Sequence, residues 1–138
     1  MHTLFFDTNI MLDLLGERKP YYTPTAKIAT LAENNKVKIF ISPIASATVS
    51  YFISKFETSE IAIKKLRKFK VISQTATIDD MIIEKALNSD FKDFEDALQY
   101  YCALESKCDI IISRNPKDFK KSSLPIMSAH EYLKSLSN

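Results

Sequence analysis

Short apolar runs alternate with longer amphipathic stretches along the whole chain, and this alternation restricts the fold more than any other feature. Thr3–Phe6, Val37–Ile41, Phe69–Ser73, Asp109–Ser113 and Leu124–Met127 read as strands. Between them, Ile10–Leu15 reads as a short helix, and Thr25–Asn34 as a helix with apolar residues at 28, 29, 31 and 32. A helix reaching Phe56 carries Ile44, Ala47, Tyr51 and Phe52 along one side, and Glu60–Lys68 forms another. Thr77 is placed to cap a helix with Asp79 and Asp80 in its first turn and Ile78, Ile82, Ile83, Ala86 and Leu87 facing a core. Asp93 opens a helix over Asp93–Ser106, and Ser128 with Glu131 forms a capping box for Ala129–Leu136. Three consecutive isoleucines, Ile110, Ile111 and Ile112, suit a strand covered on both faces. Strands alternating with helices require crossover connections. The expected fold is therefore α/β: a mainly parallel central sheet of four to five strands in a three-layer α/β/α arrangement. No repeat or linker interrupts the pattern, so residues 1–138 read as one domain.

Composition narrows the function. A chain of 138 residues buries roughly two-thirds of its unfolded surface and can fold without disulfides or structural metal. Its single glycine, Gly16, excludes the glycine-rich phosphate cradles of P-loop and dinucleotide-binding folds. The net charge of +2 leaves any contact with nucleic acid to local patches. Lys64, Lys65, Arg67, Lys68 and Lys70 form one such patch, and Arg114, Lys117, Lys120 and Lys121 a second; either is equally readable as a solvated face. Cys102 and Cys108 lack the number of a disulfide framework and the spacing of a zinc site, which suits a reducing compartment. An acid at position 7 precedes any signal-like apolar region, and no run approaches the ~20 apolar residues of a membrane span, so a cytoplasmic location is expected.

In open parallel sheets, ligands bind beyond the carboxyl ends of the strands. The first strand is followed by Asp7-Thr8-Asn9 and the fourth by Ser113-Arg114-Asn115-Pro116-Lys117-Asp118. The second leads into the helix carrying Thr48, and the helix before the fourth strand begins with Asp93, Glu95 and Asp96. Each acid has a simpler reading. Asp7 can cap the helix after it, with Asn9 supporting the turn. Asp93 and Asp96 can be an i, i+3 pair at a helix start, and Asn115 and Asp118 can flank a short turn with Pro116 at its first position. Gathered at one sheet edge, the same oxygens suit Mg²⁺ or Mn²⁺, hard cations that relieve repulsion between carboxylates and assist phosphodiester hydrolysis. Neither His2 nor His130 is placed for a base.

Four segments, in order and spanning nearly the whole chain, resemble the motifs of PIN domains. They are Leu4–Asp13, the strand exit Ile41–Ile44, Asp93–Tyr100 and Ile112–Phe119. The resemblance implies a metal-dependent ribonuclease that hydrolyses RNA, of the kind found in VapC-like toxins of type II toxin–antitoxin pairs. It implies Asp7 and Asp96 as the principal metal-binding acids, with Asn115 or Asp118 at the fourth position and Ser113 orienting the site. It also implies homodimers and a small antitoxin partner. One position departs from the pattern: Thr48 stands where many PIN domains carry glutamate, and a hydroxyl supplies no negative charge. Glu95 or Asp93 is the candidate to compensate. The alternatives are a catalytically weak PIN domain that binds RNA or protein and, third, a phosphoryl-handling α/β domain. The latter fits poorly, because Asn9 stands where a haloacid-dehalogenase-like phosphatase needs a second aspartate.

Overall fold

The computed structural model describes residues 1–137. Five parallel strands form one sheet: β1 (His2–Phe6), β2 (Val37–Ile41), β3 (Gln74–Thr75), β4 (Ile110–Ile112) and β5 (Ile126–Met127). Their spatial order is β3-β2-β1-β4-β5. The chain builds outward from β1 in one direction and then crosses to its other side. The order therefore reverses between β1 and β4, where crossovers diverge and leave a crevice at the carboxyl end. Phe6 pairs with Ile112 there, so the residues that follow, Asp7 and Ser113, emerge side by side.

Alternation along the strands divides the core. Leu4, Phe6, Ile39, Ile41, Ile110 and Ile112 face helices α1 (Thr8–Leu15), α2 (Tyr22–Glu33), α3 (Pro43–Phe56), α4 (Ser59–Val71) and α7 (Ala129–Ser135). Phe5 and Ile111 face the opposite way, towards α5 (Asp80–Leu87) and α6 (Phe94–Glu105). This is the three-layer arrangement expected from the alternation, and the isoleucine run of β4 is buried on both sides as a central strand requires.

Local chemistry sets the boundaries. Ser42 Oγ accepts from Ala45 N at 3.0 Å, with Pro43 at the first turn of α3. Asp93 Oδ1 accepts from Asp96 N at 3.2 Å, and the Ser128–Glu131 capping box opens α7. Cys102 and Cys108 are buried free thiols, and burial pushes them up to about 11 and about 12, which leaves them protonated and unreactive.

Three expectations need correction. Phe69–Ser73 is not a strand: α4 continues to Val71, and the third strand is the shorter Gln74–Thr75. Ala62, Leu66 and Phe69 repeat at helical spacing against the core; Phe69 stacks on Phe6 with ring centroids 6.3 Å apart, while Val71 is 84% exposed. Ser73 Oγ donates to Phe69 O and closes the helix end. Asp79, not Thr77, caps α5 by accepting from Ile82 N, and Leu87 lies exposed. Finally, α3 buries Ala45, Val49 and Ile53, leaving Ala47, Tyr51 and Phe52 facing solvent.

Phe69→Ala is expected to cost roughly 3 kcal/mol or more, as truncation of a packed aromatic does. Val71→Asp is expected to change stability by less than about 0.5 kcal/mol. Urea unfolding of both variants checks this; a strand over these residues would put 69 and 71 on one face and make both costly.

Candidate metal centre

Asp7 is the first residue beyond β1 and stands at the N-cap position of α1, yet its side chain makes no capping bond. Its backbone carbonyl accepts from Ile10 N and Met11 N, while its carboxylate turns to the neighbouring strand end. There Ser113 Oγ donates to Asp7 Oδ2 at 2.7 Å and accepts from Asn115 N at 3.0 Å. Only 3% of Asp7 is exposed. Burial raises its pKa, against the lowering effect of the Ser113 hydroxyl and then of the Gln99 side-chain amide.

A cleft of about 340 Å³ opens alongside, lined by Asp93 and Asp96 from the start of α6 and by Asp118 from a 3-10 turn, Pro116–Phe119. Asp96 is pushed up to about 7, first by burial and then by the negative charges of Asp118, Asp93, Asp7 and Glu95. Glu95 is raised by burial, Asp93 and Asp7. Asp7, the acids of α6 and Asp118 therefore share one field, and no arginine or lysine forms an ion pair with them among the described residues. Lys117, Lys120 and Lys121 line the same cleft, a basic margin beside an acidic centre.

The remaining sequence-predicted residues separate. Asn115 follows Ser113, but its side chain lines a different pocket with Tyr21 and His130, so Asp118 rather than Asn115 shares the cleft with Asp96. Asn9 faces Arg18, whose Nη2 donates to the Asn9 carbonyl and side-chain oxygen at 3.5 and 3.4 Å. Thr48 is half-buried in α3 and lines none of these clefts. The patch over residues 64–70 lies on α4, away from the acidic cleft: Arg67 and Lys70 line a separate one, and Lys65 bonds Leu15 O and Glu57. Arg114, expected to face RNA, is instead bidentate to Asp13 (Nε–Oδ2 2.8 Å, Nη2–Oδ1 3.1 Å) and lies 3.8 Å above the Tyr21 ring.

Two residues that sequence reasoning passed over complete the picture. Asp13 is fully buried and neutralised by Arg114 and by Arg18, whose Nη2 is 2.9 Å from Oδ1. Gln99, also buried, accepts from Thr8 N and Thr8 Oγ1. The available signal was a polar residue on the buried face of a helix: position 13 falls among the apolar residues of α1, and 99 among those of α6.

The fit of a cation rests on this imbalance. Buried and half-buried carboxylates repel one another here without an ion pair to any of them among the described residues, an arrangement that a hard divalent ion relieves. Among the described residues, no three Asp, Glu, His or Cys side chains converge closely enough to cage an ion. Mg²⁺ does not need a cage; it is commonly held by one or two carboxylates and keeps several waters.

A parallel sheet between two helical layers, with clustered acids beyond its carboxyl edge, places the chain among three-layer α/β domains. The family described as PIN domain matches residues 3–117, and the chain belongs to that family. It is 26% identical over 134 residues to Ribonuclease VapC1 of Aquifex aeolicus (strain VF5), covering 94% of this chain and 92% of that protein. VapBC2 from Rickettsia felis, solved bound to a DNA fragment from their promoter, shares the fold with a TM-score of 0.69 at 20% identity, covering 91% of this chain and 98% of that one. Mycobacterium tuberculosis VapC20, a Sarcin-Ricin loop cleaving toxin, matches at a TM-score of 0.66 and 10% identity over 86% of this chain and 94% of that one.

Without metal, stability is expected to fall as pH rises from about 4 to 7. The folded state holds a proton on Asp96 up to about 7, whereas the unfolded chain releases it near the ordinary carboxylate value. Thermal melts across that range should show a shallower fall in Asp96→Asn. At the other network, Asp13→Ala is expected to cost about 3 kcal/mol in urea unfolding, the low end for a broken buried pair. The low end applies because the Arg18 and Arg114 side chains keep 40% and 25% exposure and can turn to water.

Proposed function

We propose that this chain is a divalent-metal-dependent endoribonuclease and the toxin of a type II toxin–antitoxin pair. The observation that carries the reading is the cluster of mutually repelling acids, none of them ion-paired among the described residues, beside the buried Asp7–Ser113 pair. In this reading Asp7 and Asp96 hold Mg²⁺ or Mn²⁺, with Asp118 at the fourth acidic position. Bound there, the ion neutralises phosphate oxygens and lowers the pKa of a water.

The protein's own groups do the rest. Ser113 holds the Asp7 carboxylate in one orientation by donating to Oδ2, and the buried environment keeps that carboxylate from being solvated by bulk water. Without the ion Asp96 is raised to about 7, so it gives up a proton when it holds the ion, and metal affinity should rise with pH up to that range. Lys117, Lys120 and Lys121 line the cleft and hold flanking phosphates of a single strand. Arg114 contributes indirectly, tying the segment after β4 to α1 through Asp13.

The likeness to Ribonuclease VapC1 supports RNA as substrate, and the fold shared with VapBC2 supports an antitoxin partner; assembly as a homodimer belongs to the same proposal. A separate observation suits a protein partner. Phe52 and Phe56 are 40% and 83% exposed and line a cleft of about 450 Å³ with Leu12 and Ile53, an apolar surface that a solvated monomer rarely leaves open.

One observation favours a second reading, a PIN domain that binds RNA or protein and cuts weakly. Thr48 supplies no charge, and no three-residue ligand group converges among the described residues. RNA cleavage by the purified chain separates the two. Activity should depend on Mg²⁺ or Mn²⁺, vanish with chelator, and fall at least about 100-fold in Asp7→Asn, the lower end for loss of a group that stabilises a transition state electrostatically. Thr48→Glu should raise cleavage by adding the missing charge. Binding of RNA without cleavage in any metal would favour the second reading, and full activity in Asp7→Asn would overturn the site.

A further inference from the structure

We infer that Gln99 is a positioning residue for Asp7, its side-chain amide steadying that carboxylate from α6 while Ser113 steadies it from β4. The inference rests on the metal-centre reading and adds to it a residue that carries no charge.

Gln99 is 1% exposed. Its Oε1 accepts from Thr8 N at 3.0 Å and from Thr8 Oγ1 at 3.2 Å. A backbone N–H can only donate, so the amide atom facing Thr8 must be the oxygen; this contact determines the orientation of the whole group. The NH₂ group therefore points away from Thr8, and among the described residues it has no hydrogen-bond partner. A buried donor left unmet is costly, and native structures retain one chiefly where it serves a purpose. The acceptor at hand is Asp7, the residue before Thr8. The Gln99 amide is near enough to offset part of the burial penalty on its carboxylate, second only to the Ser113 hydroxyl.

Helix geometry explains the choice of position. Gln99 follows Asp96 by three residues on α6, so one rigid turn carries both an acid of the cleft and the amide that reaches the other. The spacing between Asp7 and Asp96 then depends on this turn rather than on a flexible loop. The chemistry of the side chain matters as well. A carboxylate has about four acceptor sites; Ser113 occupies one, and an N–H turned to it from Gln99 would take a second, leaving the others for a cation. Glutamate at 99 could still accept from Thr8, but would face Asp7 with another negative oxygen. Gln99 is thus the neutral donor that an already crowded field requires.

The test measures Mn²⁺ binding by calorimetry, with metal-free urea unfolding, on the full chain and on Gln99→Met, which keeps the volume but removes the amide. Mn²⁺ affinity is expected to fall about 10- to 100-fold, the usual loss when a ligand's supporting hydrogen bond is removed, and cleavage to fall in kcat with little change in KM for RNA. Gln99→Met that folds and binds Mn²⁺ within about two-fold of wild type would overturn the inference and leave Gln99 a packing residue. If Gln99→Met does not fold, Gln99→Glu decides, because it keeps the acceptor for Thr8. At about pH 8 its Mn²⁺-induced rise in Tm should exceed that of wild type, since the cation relieves an added repulsion; an equal rise would overturn the inference. A wild-type chain that neither binds Mn²⁺ nor cuts RNA would instead overturn the metal-centre reading, and this inference with it.

Discussion

A carboxylate that follows three fully buried strand residues is expensive to desolvate, and the way Asp7 meets that expense organises the whole carboxyl edge of the sheet. It does so through Ser113, which follows the strand paired beside it. The register that sets Phe6 against Ile112 brings the two together, and the Asp7 amide adds a further bond to Ile112 O at 3.1 Å. Because the same hydroxyl accepts from Asn115 N, it also shapes the segment that leads to Asp118. One hydrogen-bonded pair thus couples the switch point of the sheet to the geometry of the cleft.

Two buried acids on neighbouring turns are treated in opposite ways. Asp13 has no exposed surface, but two guanidiniums reach it, one from the segment after β4 and one from the end of α1, and Tyr21 packs beneath the first. It is electrostatically complete and its work is structural. Asp7 receives neutral donors only, and the acids of α6 and the 3-10 turn act on it and on one another. Folding leaves repulsion in place at one site and cancels it at the next, and the proposed cation site rests on that contrast. Lys92, Lys117, Lys120 and Lys121 line the cleft beside its acids, yet none forms an ion pair with them among the described residues.

Much of the fold was legible because its signals are local. The isoleucine run of β4, the alternation in β1, the Ser42-Pro43 start of α3 and the capping box of α7 each follow from a few adjacent residues. The third strand was misread for the same reason. Phe69, Val71 and Ile72 are apolar enough for a strand, and only packing shows that Phe69 belongs to a helix stacked on Phe6. On α3 the periodicity admitted more than one face, and the sheet selected Ala45, Val49 and Ile53, leaving the aromatics outside.

The sequence alone determined which acids stand beyond strand ends and helix starts, because those positions depend on short-range pattern: Asp7, Asp93, Asp96 and Asp118 were all readable, as was the absence of a charge at Thr48. Tertiary structure decided their partners. That Arg114 turns to Asp13 and that Gln99 reaches back to the β1 exit depend on segments about 90 to 100 residues apart meeting at one edge, and that Asp118 rather than Asn115 enters the cleft depends on how the turn after β4 packs against the start of α6. Hydrogen bonds and charge coupling fall off within a few ångströms, so no spacing along the chain can reveal them until the sheet has closed that distance.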